Sequence, residues 1–251
     1  LFTVNSCKDP DSIFKDTEIQ EPVTRSGESG WDYPVKPGTG AWNALKTEEE
    51  RIAAVQVPET ILASLSPDDA VRLCITLPAF FIFTAWNTPQ EGFEVMLSRY
   101  NILKHILDRK DAGGSLIAAY KDAGMSGFKT LPYSNEFWTT KLDYLELLLF
   151  QEEILQSMTP DQRVELIVEA RLKFAEKSVN EAFASIPGIL PPLCIMASVL
   201  HIEEYPEFIT SPNRQAINQL IQTGWLFDDI SSIDEIIKIT DNYINTKQET
   251  P

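Results

Sequence analysis

The chain has 251 residues, 43% of them hydrophobic, enough to bury one sizeable core or two small ones. Its 37 acidic against 21 basic residues leave a net charge of −16, a surface that repels phosphate backbones and anionic lipid. Binding to nucleic acid is therefore disfavoured, and three cysteines with two histidines and no CxxC pair cannot assemble a zinc site of ordinary spacing.

Residues 1–40 carry Pro10, Pro22, Pro34 and Pro37 together with Gly27, Gly30, Gly38 and Gly40. No periodicity there runs longer than a few residues, which predicts an extended N-terminal arm before a single helical domain over 41–251. Trp31 and Tyr33 are apolar enough to dock the second half of the arm on the body. Near the start, "VNSCKDPD" places small residues before Cys7 and an acidic tether after it, like the end of a bacterial lipoprotein signal. Two readings stand: lipid attachment at Cys7, and an ordinary exposed cysteine in a loose arm.

Helix signals begin at "TEEE" (Thr47 to Glu50), a capping box in which the Thr oxygen takes an orphan N–H and Glu50 reaches back. "TPQE" (Thr88 to Glu91) and "TPDQ" (Thr159 to Gln162) repeat it with proline at the first helical position. "SPDD" at Ser66 and "SPNR" at Ser211 share the cap and the proline. Between the first two of these prolines, "LCITLPAFFIFTAW" runs for only fourteen residues (73–86) and is broken by Pro78, too short for the roughly 20 apolar residues of a membrane span. It predicts the end of one buried helix and the start of another.

Downstream, Trp138, Leu142, Leu145 and Leu149 step at helical spacing, as do Ile233, Ile236, Ile237, Thr240 and Ile244. Between them, Val164, Val168, Leu172, Ala175, Val179 and Phe183 predict one apolar, core-facing stripe, with Glu169–Lys173 and Lys177–Glu181 as ion pairs on the solvent side. Alternating strand patterns and Asn-Gly or Asp-Gly hairpin turns are absent. The expectation is an all-α fold, an irregular stack of antiparallel helical hairpins in an α-α superhelix of about nine or ten helices, without significant sheet.

One unit occurs twice. "ILASLSPDDAVRL" (Ile61 to Leu73) returns as "ILQSMTPDQRVEL" (Ile154 to Leu166), and seven of sixteen positions agree between 60–75 and 153–168. The varied positions, Asp69 against Gln162, Ala70 against Arg163 and Arg72 against Glu165, change charge freely. That freedom suits a helix–corner–helix turn better than a repeated chemistry.

Motifs for nucleophilic, nucleotide-dependent or metal-dependent chemistry are absent. The adjacent carboxylates Glu152-Glu153, Glu203-Glu204 and Asp228-Asp229 point about 100° apart on a helix, which suits helix-end solvation. His105 and His201 lack a partner at ligand spacing and read as structural. Cys74 and Cys194 lie in apolar runs and read as buried core thiols. Phe80, Phe81, Phe83 and Trp86 could line a pocket or fill a corner between helices. Gly92, within a capped helix start, predicts close approach of another backbone.

"VPETILASLSPDDAVRLCITLP" (Val57 to Pro78), "NTPQEGFEVMLSRYN" (Asn87 to Asn101) and "LDRKDAGGSLIAAYK" (Leu107 to Lys121) resemble a family of uncharacterised secreted or lipid-anchored proteins of Bacteroidetes, and "GFKTLPYSNEFW" (Gly127 to Trp138) extends the likeness loosely. The resemblance implies a helical fold and an exported, periplasmic or cell-surface location; it supplies no activity and no site residues. The expected function is a non-catalytic binding or scaffold protein of the cell envelope with a protein or peptide partner. The alternative is an enzyme with a carboxylate or histidine site in an inter-helix cleft. No catalytic, cofactor or metal residue is nominated, and Cys7 is the one candidate attachment site.

Overall fold

The computed structural model describes residues 30–123, 135–181, 183, 186–226 and 231–249. Among them all the regular secondary structure is helix, without a strand. The elements are α1 (Gly40–Ala44), α2 (Glu48–Ala54), α3 (Glu59–Leu62), α4 (Pro67–Ile75), a 3-10 helix (Phe80–Ala85), α5 (Pro89–Arg99), α6 (Asn101–Asp108) and α7 (Gly113–Asp122). Then follow α8 (Asn135–Leu149), α9 (Glu152–Ser157), α10 (Pro160–Ser178), α11 (Ile186–Ile202), α12 (Pro206–Ile209), α13 (Arg214–Thr223) and α14 (Ser231–Glu249). Among the described residues the fourteen α-helices exceed the nine or ten expected, because corners such as Pro58 to Leu62 fold into single turns of their own.

The caps explain most boundaries. Thr47 and Thr159 form complete capping boxes with Glu50 and Gln162. Thr88 accepts from the Glu91 amide at 3.1 Å, but the Glu91 carboxylate takes the Asn87 amide instead of reaching back, so the expected box is half made. Ser211 does not start a helix. It accepts from the Asn213 amide at 3.1 Å and donates to Glu235 at 2.7 Å, and α13 begins three residues later at Arg214. Both corners of the repeated unit are present, with Pro67 and Pro160 each opening a helix. At Pro78 the chain leaves α4 and enters the 3-10 helix.

α11 is the hub, packed on α8, α9, α10, α13 and α14. Its face is apolar all round from Leu193 to Leu200, interrupted by Ser198, and each of these residues is buried, as a helix surrounded by others requires. α10 lies against α11, α14 and α7, while α4 meets α6, α7 and α8. The 3-10 helix packs on α5, where a Cβ on Gly92 would fall 2.2 Å from the Phe83 carbonyl oxygen. That is the close backbone approach the glycine predicts. The arm docks as expected: Tyr33 is buried and donates to the Leu73 carbonyl at 2.9 Å, and Arg72 donates to the Trp31 carbonyl at 2.9 Å.

α10 departs from its reading. Val164 and Val168 are half-buried, while Leu172, Ala175 and Val179 are exposed. The core face is instead Leu166, Ile167, Ala170, Lys173, Phe174 and Lys177. Two lysines point inward, and of the predicted stripe Leu172, Ala175 and Val179 point outward while Phe183 is buried as read. The physical reason lies in the partners that those lysines meet beneath α10.

Candidate functional site

Lys177 ends, itself fully buried, in a largely buried cluster of charge. Its Nζ lies 2.5 Å from Glu146 Oε2 and 2.9 Å from Asp143 Oδ1, both carboxylates coming from α8. Glu146 also accepts from the Tyr120 hydroxyl of α7 at 2.7 Å. One turn back on α10, Lys173 pairs with Glu169 at 3.2 Å and sits 5.7 Å above the Tyr120 ring. The Phe183 ring closes the other side, 4.9 Å from Lys177 Nζ. Lys177 and Glu146 are each 0% exposed, whereas Asp143 keeps 24% of its side chain in contact with solvent.

α8 builds this site through its own periodicity. Leu142, Leu145 and Leu149 are buried as predicted, and Asp143 and Glu146 stand three residues apart on the neighbouring face. A carboxylate inside the apolar run from Leu142 to Phe150 must find a cation or keep its proton. Both happen in part. Burial raises Glu146 from the ordinary 4.5 to about 7, with Asp143 adding to the shift and Lys177 opposing it. Burial likewise raises Asp143 against the pull of Lys177. For Lys177, burial acts downward, but the two carboxylates outweigh it and hold the ammonium above its ordinary range. The cluster thus keeps a cation among three polar partners on two other helices, and it ties α7, α8 and α10 together. The expected solvent-side pair of Lys177 with Glu181 is replaced by this arrangement. Glu169–Lys173 does form, but as a largely buried pair.

The residues singled out by sequence lie elsewhere. His105 is half-buried, with Nε2 3.4 Å from Arg109, and burial followed by the guanidinium lowers its pKa. His201 is exposed and meets the Phe208 ring edge-on at 6.0 Å. Neither imidazole has a carboxylate at hydrogen-bond distance among the contacts of the described residues. Cys74 and Cys194 are buried and free, and burial pushes the Cys74 thiol up to about 12 and raises Cys194 as well. The Cys74 sulfur rests 3.7 Å from the Tyr144 hydroxyl. Phe80 and Phe83 are core residues around the Tyr144 ring, Phe81 is half-buried, and Trp86 is 39% exposed. They fill a corner.

Glu152 and Glu153 cap the first turn of α9 in solvent, as read. Glu203 does more: it takes Arg163 at 2.6 Å and Lys247 at 3.4 Å, joining α10, α11 and α14 at one end. Cys7, Asp228 and Asp229 lie outside the described residues. Among the described residues no three His, Cys, Asp or Glu side chains come together as a metal-holding group. Asp143, Glu146 and Lys177 were missed in the sequence because their shared signal is spread over two helices. The one local cue is a pair of acids, Asp143 and Glu146, inside an otherwise apolar run. No family model, curated protein or solved structure matches the chain.

Proposed function

We propose that the protein is a non-catalytic binding or scaffold protein of the bacterial cell envelope that engages a protein or peptide. One observation carries this reading. The outward side of α10 shows Leu172 54% exposed, and its C-cap Val179 is 84% exposed, while Lys173 and Lys177 are buried on the core face. Exposed apolar side chains scattered singly are ordinary, but a row of them on one helix marks an interaction surface. The sealed cluster supports the same reading, since Lys177 and Glu146 are satisfied by each other and by Tyr120 and lie away from solvent. Export belongs to the proposal and rests on the residues around Cys7 and on the family resemblance. Among the described residues no helix is long and apolar enough to cross a membrane.

A second reading has one observation in its favour. Glu146, held near 7 beside a charged lysine, is the kind of perturbed carboxylate that active sites employ. One experiment separates the two. The full chain is used to capture partners from bacterial envelope extract, and any captured protein is purified and titrated calorimetrically. Saturable binding at fixed stoichiometry is the expected result. Turnover of a substrate panel that is abolished by Glu146→Gln, with no saturable partner, would replace the binding role by an enzymatic one.

A further inference from the structure

A binding role leaves the partner's chemistry open; the outer face of α10 narrows it, on the premise that the binding reading holds. Val168, Leu172, Ala175 and Val179 step by four, three and four residues, the spacing of a coiled-coil seam. At about 100° per residue they occupy roughly 60° of the helix circumference. The next 60° or so holds Glu165, Glu176 and Glu169 in that order. Glu165 reaches Lys121 in solvent at 2.5 Å, and Glu169 holds Lys173. On the opposite edge Arg171 is already engaged by Asp241 of α14 at 2.8 Å. The face is therefore an apolar seam bordered by Glu176, with Glu165 and Glu169 beside it already paired to lysines of this chain.

We propose that this seam docks a cationic amphipathic helix from another protein, its apolar stripe on Leu172, Ala175 and Val179 and its basic flank over Glu176, with Glu165 at the rim. The four–three spacing matches a helix, because a facing helix presents its own knobs at the same repeat. Glu176 and the net charge of −16 select a basic partner and speed its encounter. A second copy fits less well. Two chains of net charge −16 repel in either orientation.

The test uses the full chain and a dye-labelled eighteen-residue peptide (about five turns) of leucine and lysine with the leucines in one stripe. A control isomer of identical composition has its leucines scattered around the helix. Fluorescence anisotropy is expected to show saturable binding of the striped peptide, weakened about tenfold or more in the isomer. The paired variant Leu172→Lys/Val179→Lys is expected to lose a similar factor with its melting temperature unchanged, since both side chains are exposed. Charge reversal by Glu165→Lys with Glu176→Lys is expected to weaken binding several-fold, less so at high salt. Equal binding of both peptides, or undiminished binding by the paired variant, would overturn the assignment. So would a dimer in light scattering that the paired variant abolishes, which would give the seam to a second copy. If the paired variant keeps the partner captured from envelope extract, the seam assignment falls while the binding role stands. If the wild type captures nothing yet holds the striped peptide through the seam, the envelope role falls and the seam assignment stands.

Discussion

At Gly92 the absence of one methyl group sets how closely two elements approach. A Cβ there would lie 2.2 Å from the Phe83 oxygen and 2.6 Å from its Cα, and backbone cannot swing aside as a side-chain tip can. Gly92→Ala is therefore expected to lower stability by about 3 kcal/mol, seen as a reduced urea midpoint with an unchanged slope. An effect below about 1 kcal/mol would mean that the 3-10 helix yields cheaply. The glycine was legible in the sequence because it breaks a helix start that propensity would fill with another residue. The contact it serves was not legible, since nothing near Gly92 in the chain names Phe83. Lys177 shows the same limit more sharply. A lysine next to a glutamate in "FAEKS" reads as solvated, and only Asp143 and Glu146, some thirty residues earlier, make it a core residue.

Elements were legible where the signal is local. The two corners at Ser66 and Thr159, with a proline opening the helix after each, follow from a hydroxyl, a ring and a missing N–H within a few residues. Thr159→Ala is expected to cost about 1 kcal/mol in urea unfolding, because α10 loses the acceptor for the Gln162 amide. No loss at all would mean that the corner is held by tertiary packing alone. The phase of α10 was not legible, since periodicity reports which residues share a face but not which face meets the core. Leu172, Ala175 and Val179 do share a face, and it is the outer one, with Val168 half-buried at its start. α11 hides its character differently: Pro191 and Pro192 lie inside it and remove the N–H groups that would bond Pro187 and Gly188. A breaker pair in the sequence becomes part of the central helix because burial on every side outweighs two lost bonds.

For the whole molecule, the buried cluster makes stability depend on pH. Glu146 keeps its proton up to about 7 in the folded chain and releases it near its ordinary 4.5 when unfolded. Between those values the native state binds more protons, so stability falls as pH rises from the ordinary carboxylate range to about 7 and then levels. Self-repulsion of a chain with net charge −16 acts in the same direction, so the slope must be compared with that of a variant. Glu146→Gln is expected to flatten the fall between pH 5 and 8 by about 2–3 kcal/mol in urea titrations, and an unchanged slope would assign the effect to Asp143 and surface charge instead.

The central claim is that α10 turns Lys173 and Lys177 into the core and leaves Leu172 in solvent. Unfolding in urea at pH 7 of Lys177→Met beside Leu172→Lys measures it most directly. Removing the buried cation strands Asp143 and Glu146, and a loss of about 3–5 kcal/mol is expected. Placing a lysine at the exposed Leu172 is expected to change stability by no more than about 0.5 kcal/mol. The reverse order, a costly Leu172→Lys and a harmless Lys177→Met, would contradict the account.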